Sequence, residues 1–139
     1  MNARFRILTL AAALALPAAT LAQEKPAALK GHDPVAYFVE GKPVKGTASL
    51  AHDFDDSRYL FSKPKHRELF AANPDRYAPQ FSGLCTAGLA MGMKAEADPS
   101  IWKIVDGKLY VFSSVRAREE IEKNPALLAR AHQNFKPSN

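Results

Sequence analysis

The 139-residue chain contains a single cysteine, Cys85, and therefore no Cys-x-x-Cys pair. A lone cysteine cannot form a disulfide within its own chain, which excludes a fold held together by disulfides. Its thiol must then be buried and inert, bridged to another molecule, or used as a thiolate for metal binding or for chemistry. The sequence leaves these three roles open.

The excess of positive charge is too small and too scattered to indicate a nucleic-acid-binding surface. The formal net charge is +5, and removal of the first 22 residues takes away Arg4 and Arg6 and leaves +3. The densest basic cluster, at 63–67, is followed by Glu68 and lacks the interleaved aromatic residues on which bases stack. We interpret this cluster as a solvated helix face and expect no nucleic-acid partner.

Long apolar runs are confined to the N-terminus. A positively charged start, an apolar segment at 7–20 and small residues before Gln23 are typical of a secretory signal peptide, here residues 1–22. The segment is short and interrupted by Pro17, whereas a membrane span needs about 20 residues. No Arg-Arg pair is present, so we expect the general secretory route, cleavage near Ala22 and a periplasmic protein without stable membrane insertion. A retained amphipathic anchor is the alternative.

The rest of the chain is long enough for one domain with a modest core. We interpret residues 23–30 as a flexible leader and residues 31–135 as the domain. The segments 54–61 and 102–111 are typical of β-hairpins, the second because alternating apolar residues flank an Asp-Gly turn. Residues 35–39 are expected to form a further strand.

Asn and Pro pairs mark the predicted helices. Proline is favoured in a first helical turn, which predicts helices that begin near residues 63, 74 and 125. Further helices are expected at 85–93 and 114–123. Short hairpins mixed with short helices indicate an α+β fold, a small antiparallel sheet built from hairpins with short helices packed on it. The sequence shows no internal repeat.

Three segments carry a family resemblance. The domain opens with GHDPVAYF at 31–38, and a strand and helix at 59–77 end in NPDRY. A hairpin that begins with tryptophan and contains Asp-Gly-Lys-Leu-Tyr follows at 102–110, downstream of Cys85. Together these segments resemble the YHS domain, and specifically its longer exported form, over nearly all of residues 29–135.

The resemblance implies a small metal-associated module related to cysteine-bearing heavy-metal domains. In metal-binding members, cysteines stand at the positions that Ala36, Ser62 and His66 occupy here. Of these three residues, only His66 is able to coordinate a metal. The family's thiolate cage is therefore not carried over to this chain, and metal binding has to rest on Cys85.

Cys85, Met91 and Met93 place three sulfur atoms within nine residues. Thiolate and thioether are soft donors that favour Cu(I), and imidazole joins them readily. On one continuous helix the three side chains would diverge, since neighbours on a helix face lie three or four residues apart. A loop around Gly88 or Gly92 would instead gather them.

Two histidines are candidates to complete such a site across the fold. His32 stands beside Asp33, as a carboxylate-oriented ligand does, although such a pair also occurs in turns whose Asp caps backbone groups. His66 lies in the basic segment that is otherwise interpreted as exposed helix surface. The sequence thus predicts a site for copper or another soft transition metal with these candidate ligands: Cys85, Met91, Met93, His32 and His66.

The alternative is a structural or partner-binding periplasmic module without a metal. Methionine fills gaps in small cores, and a single cysteine is often buried as a small apolar residue. Cys85 also offers a disulfide between two copies, which makes a homodimer the alternative partner. We expect no enzymatic activity, because no histidine follows Cys85 at a motif-like spacing and no compact His-x-x-x-His pattern is present.

Overall fold

The structure, a computed structural model, describes residues 23–137, so the predicted signal peptide lies outside the described residues. The helices and strands in this range are α1 Ala36–Val39, β1 Thr47–Phe54, β2 Ser57–Phe61, α2 Pro64–Ala72, α3 Pro74–Tyr77, α4 Thr86–Ala90, β3 Asp98–Val105, β4 Lys108–Phe112, α5 Val115–Lys123 and α6 Ala126–Asn134. None of these helices combines the length and the apolar character that a membrane crossing requires. The α+β prediction is confirmed.

The two hairpins form two separate sheets of two strands each rather than one layer. Strand β1 pairs antiparallel with β2, and β3 pairs antiparallel with β4. The predicted strand at 35–39 is wrong, because this segment forms helix α1. The cause is Asp33, whose Oδ1 accepts hydrogen bonds from the N–H groups of Val35 (2.9 Å) and Ala36 (3.3 Å) and so starts a helical turn.

Packing of the domain begins upstream of the boundary predicted at Gly31. Ala28 and Leu29 are buried, and the N–H of Arg58 in β2 donates to the carbonyl of Pro26 at 2.9 Å. The segment that the sequence suggests as a flexible leader therefore lies, in its second part, against the first hairpin.

The chain is built from two similar halves, a repeat that the sequence did not reveal. Strands β1 and β3 each have eight residues, β2 and β4 each have five, and α2 and α5 each have nine. Both hairpins have an irregular register at the same place, between Thr47 and Ala51 in β1 and between Asp98 and Trp102 in β3. We call residues 28–77 the first half and residues 80–134 the second half.

Each half opens with three successive residues in the left-handed region. The φ angles are 52°, 49° and 83° at Leu29, Lys30 and Gly31, and 60°, 54° and 79° at Phe81, Ser82 and Gly83. Non-glycine residues rarely adopt this conformation in succession, so its occurrence at the start of both halves supports the correspondence between them. The residue two positions after the glycine then donates its backbone N–H to a carbonyl oxygen further along the chain. In the first half Asp33 donates to Val44 at 2.8 Å, and in the second half Cys85 donates to Ala95 at 2.9 Å.

Two apolar clusters form the core. In the first half the rings of Tyr59 and Phe61 pack around the fully buried ring of Phe70, with centroid separations of 4.6 and 5.2 Å. The second cluster is centred on β4 and also includes Tyr37 of the first half. The Tyr37 hydroxyl donates to the carbonyl of Pro99 at 2.7 Å, which ties the halves together, and burial raises the pKa of this hydroxyl.

Candidate functional site

Cys85 stands at the start of helix α4, directly after the left-handed turn of the second half. Its side chain is 1% exposed. The thiol donates to the hydroxyl oxygen of Ser113 (3.3 Å), and its sulfur accepts the backbone N–H of the same residue at 3.2 Å. Ser113 directly follows β4 and is exposed, whereas Cys85 belongs to the buried apolar cluster around β4, as the burial of a lone cysteine as a small apolar residue predicted.

An open groove of about 580 Å³ lies beside Cys85 and is mostly apolar. Its walls are α4, the loop that follows α4, and the first turns of α5. The residues that line it are Cys85, Ala87, Gly88, Met91, Met93, Ala95, Ser113, Ser114, Arg116, Ala117, Glu120 and Leu127. We call this feature the sulfur groove, because all three sulfur-bearing side chains of residues 23–137 line it.

The loop after α4 brings the two methionines to the groove. Met91 directly follows the helix and donates its N–H to the carbonyl of Gly88 at 3.0 Å. Gly92 comes next with a φ of +78°, a conformation that favours glycine. The chain then turns back, so that the N–H of Met93 also donates to Gly88, at 2.9 Å. This turn explains how two residues that would diverge on a helix come to line the same groove.

Met91 and Met93 are not core residues. Their exposed fractions are 64% and 53%, so the interpretation of both as gap-fillers in a small core is wrong. Large exposed apolar side chains are informative when they cluster at a concave surface, because such surfaces bind ligands or partners.

The two histidine candidates lie outside the lining of the sulfur groove. His32 is half-buried in the first half, with Nδ1 at 2.9 Å from the carbonyl oxygen of Leu29. His66 is buried in α2, not exposed as its basic neighbours suggested, and its Nδ1 donates to Oδ2 of Asp33 at 2.7 Å. The structure therefore brings Cys85, Met91 and Met93 to one place and leaves both histidines elsewhere.

Asp33 is the centre of a buried polar cluster that the sequence only partly revealed. In addition to the two N–H groups that begin α1, its carboxyl group accepts the N–H of Ser62 (2.9 Å), the hydroxyl of Ser62 (2.7 Å) and Nδ1 of His66. Of the two interpretations of the His32–Asp33 pair, the turn whose Asp caps backbone groups is confirmed. The link to Ser62 and His66 crosses about 30 residues of chain, and no local pattern indicates it.

Among residues 23–137, no group of three or more His, Cys, Asp or Glu side chains is arranged to hold a metal ion. A metal in the sulfur groove would therefore depend on thioether ligands beside Cys85. The groove carries one basic and one acidic side chain, Arg116 and Glu120, so its charge favours neither cations nor anions. The donors that line it, a thiol and two thioethers, are soft.

Comparisons of the chain with protein-family models, with curated proteins and with solved structures found no match. The resemblance to the YHS domain therefore stays a prediction.

Proposed function

We propose that the protein binds a soft transition metal, copper(I) first, in the sulfur groove, with Cys85, Met91 and Met93 as ligands. The observation that carries this proposal is that the thiol and both thioethers line a single groove. Thiolate and thioether donors select Cu(I) over harder ions. His32 and His66 are left out of this ligand set, because neither lines the groove.

The surroundings of Cys85 suit a metal ligand. The N–H of Ser113 faces the sulfur, and such outer hydrogen bonds orient a ligand and stabilise the charge that it carries when it coordinates a metal. The two methionines are exposed and lie on a short loop, so they are free to move towards an ion, and the groove has to open beside the buried Cys85 sulfur for the third ligand to bind. Thioethers also need no deprotonation, which leaves Cys85 as the one ligand that releases a proton on binding.

We propose further that the protein is exported, non-enzymatic and a member of the YHS family. The signal-like N-terminus supports export, and the GHDPVAYF and NPDRY segments support the family. A metal-handling task is one of the roles open to a thiol that has no disulfide partner in its own chain.

Copper binding is tested by titration with Cu(I) under anaerobic, reducing conditions, with a chromogenic Cu(I) chelator as competitor. The native protein is expected to take up a single Cu(I) per chain. Cys85→Ser is expected to abolish this uptake. The double variant Met91→Leu, Met93→Leu is expected to weaken it at least about a hundredfold, since each of the two lost soft ligands is expected to cost ~1.4 kcal/mol or more, a factor of ten.

The matched control is His32→Gln, a change of a possible ligand outside the groove, which is expected to leave Cu(I) affinity unchanged. Uptake by Cys85→Ser equal to that of the native protein would overturn the proposal. If His32→Gln lost as much Cu(I) affinity as the methionine double variant, the ligand set would be assigned wrongly.

The apolar lining of the groove favours one second candidate, a module that binds an apolar ligand or a partner segment without metal. In that case the methionines serve as adaptable contact surface, for which flexible thioether side chains are well suited. A homodimer through Cys85 is less favoured, since the sulfur is 1% exposed and a disulfide to a second copy requires the groove to open. A non-reducing gel of the purified protein tests the disulfide dimer directly.

A further inference from the structure

A second open pocket, of about 440 Å³, lies where the turn of the first hairpin meets the start of the second half. Its walls are the turn at 54–57, helix α3 with the residues that follow it, the left-handed turn at 80–82, and Phe135 after α6. No basic side chain lines this pocket. Three carboxylates do, and we call it the acidic pocket after them: Asp55, Asp56 and Asp75.

The three carboxylates have no positive partner among residues 23–137. All three residues are exposed, and none of their side chains forms an ion pair or a hydrogen bond with these residues. The neighbouring Asp53, by contrast, is paired with Arg58 at 2.8 Å. The ammonium group of Lys25 donates to the backbone carbonyl of Asp55 and not to its carboxylate. The pocket therefore carries uncompensated negative charge.

This charge is spread over two walls and does not converge on one point. Asp55 and Asp56 lie in the β1–β2 turn, whereas Asp75 lies in α3. Among the described residues 23–137, no group of three or more His, Cys, Asp or Glu side chains is arranged to hold a metal ion. A hard cation such as Ca²⁺ needs its oxygen ligands gathered around it. Separated carboxylates suit a ligand with separated positive charges better than one compact ion.

A buried hydroxyl group faces the same pocket. Tyr59 lines it, although its side chain is only 4% exposed. The hydroxyl groups of Tyr37 and Tyr110 are hydrogen-bonded, whereas that of Tyr59 has no partner among residues 23–137. It is not sealed in the core either, because within that range only Nε of Arg118 is fully buried without a partner. The Tyr59 hydroxyl is therefore free to bond to a ligand in the pocket.

The chemistry of this hydroxyl suits an amine. Burial, and after it the nearby Asp55 carboxylate, raise the pKa of the Tyr59 hydroxyl, so it stays neutral at physiological pH. A neutral hydroxyl oxygen accepts a hydrogen bond from an N–H group. A primary ammonium group offers three such N–H groups, and a quaternary ammonium group offers none.

Aromatic rings supply the apolar part of the pocket. Phe54, Tyr59, Phe81 and Phe135 all line it, and the rings of Phe81 and Phe135 pack with their centroids 5.5 Å apart. Methylene groups pack on such rings, and an ammonium group is attracted to their faces. Carboxylates, a free hydroxyl and aromatic rings together favour an organic amine over a metal ion or an anion.

We propose that the acidic pocket binds a small aliphatic diamine. One ammonium group lies at the hairpin turn, between the Asp55 carboxylate and the Tyr59 hydroxyl, and the other lies at Asp75. The carbon chain between them covers the aromatic rings. The pocket shares no lining residue with the sulfur groove, so this inference is independent of copper binding.

The test is isothermal titration calorimetry of the purified protein with 1,4-diaminobutane at low ionic strength. We expect one ligand per chain with a dissociation constant of about 0.1–1 mM, as is usual for so few atoms. Added salt is expected to weaken binding, because the charges meet at an open surface. Butylammonium, which carries the charge of a single lysine side chain, is expected to bind about tenfold more weakly, because it leaves one acidic wall unpaired.

Tyr59→Phe separates a binding role from a structural one. Loss of the hydroxyl is expected to weaken diamine binding about tenfold, since a hydrogen bond to a charged group is removed. Stability towards urea is expected to stay equal or to rise, because the removal leaves no former partner unsatisfied. A tyrosine that only fills the core would show no change in diamine affinity.

The carboxylates are tested by Asp55→Asn and Asp75→Asn, each expected to weaken diamine binding about tenfold. Asp106→Asn is the matched control. Asp106 has the same place in the turn of the second hairpin, with a φ of 51° against 49° at Asp55, and does not line the acidic pocket. Asparagine tolerates this conformation, so both turn variants are expected to fold, and Asp106→Asn is expected to bind like the native protein.

Equal diamine affinity in the native protein and in the three pocket variants would overturn the inference. Butylammonium that binds as tightly as the diamine would also overturn it and would indicate a site for a single ammonium group. Tighter binding of choline or of Ca²⁺ than of the diamine would replace it with a quaternary-ammonium site or a metal site. Because no copper is present, none of these results bears on the Cu(I) titration.

Discussion

Asp33→Ala is expected to lower the free energy of unfolding by about 3–5 kcal/mol, the range for removing one partner of a buried, hydrogen-bonded polar pair. The Asp33 side chain is fully buried and accepts five hydrogen bonds. Its loss leaves two N–H groups of α1, the N–H and hydroxyl of Ser62, and the imidazole of His66 without an acceptor. An unpaired buried donor costs about 1–3 kcal/mol, so the effect is large even after partial relaxation.

The measurement is urea-induced unfolding followed by circular dichroism. Asp33→Asn keeps the size of the side chain and one acceptor oxygen, so its free energy of unfolding is expected to fall clearly less than that of the alanine variant. Asp56→Ala, which removes an exposed carboxylate from the turn of the first hairpin, is the control and is expected to change stability by less than about 0.5 kcal/mol. A loss in Asp33→Ala as small as that in Asp56→Ala would contradict the buried cluster.

Gly46→Ala is expected to destabilise the protein by about 3 kcal/mol or more, at the upper end for added atoms in a packed site. A Cβ at this position would overlap the carbonyl carbon of Leu60, and would lie 2.5 Å from its oxygen and 2.6 Å from the nitrogen of Phe61. All three atoms belong to the backbone of β2, which is held in the β1–β2 ladder. No side-chain rotation therefore relieves the clash.

Gly41→Ala is the matched control for a glycine in the same half. Gly41 has a φ of +68°, but a Cβ there would meet nothing within 4 Å. The change is expected to cost only about 1 kcal/mol, the strain of an alanine in the left-handed region. Equal losses for the two variants, measured by urea unfolding, would show that close approach of the hairpin strands is not what requires Gly46.

Local signals in the sequence predicted the elements whose form depends on nearby residues. The Asp106-Gly107 turn fixed the second hairpin, where Asp106 has a φ of 51° and Gly107 one of 74°, as the turn type requires. The proline rules located α2 and α3. Prediction failed at 35–39, where an apolar run typical of a strand becomes a helix because Asp33 caps it.

The repeat was hidden because the two halves share backbone conformation more than side chains. Gly31 and Gly83 correspond, as do Ser62 and Ser113, but Asp33 corresponds to Cys85. What is repeated is a left-handed turn, a hairpin of fixed strand lengths and a helix. Many different residues satisfy these, so little of the sequence repeats beyond the Phe-Ser and Asn-Pro pairs, which recur with equal spacing at 61–62 and 73–74 and at 112–113 and 124–125.

For the site, the sequence named the three sulfur side chains that line the groove but not their surroundings. The Gly92 turn that brings Met91 and Met93 to one wall was predictable from the sequence, because glycine marks such turns. The buried contact of His66 with Asp33 and the contact of Cys85 with Ser113 were not predictable, since each joins residues at least 28 positions apart in the chain. Contacts of that separation depend on how the hairpins fold back, which composition does not encode.

The central claim is that Cys85, Met91 and Met93 together hold one soft metal ion. The most direct measurement is X-ray absorption at the copper edge of the Cu(I)-loaded protein in a buffer without imidazole. Three sulfur scatterers are expected in the first coordination shell of the native protein, falling to one in the Met91→Leu, Met93→Leu variant. A shell dominated by nitrogen or oxygen, or a sulfur count that the methionine changes do not alter, would contradict the account.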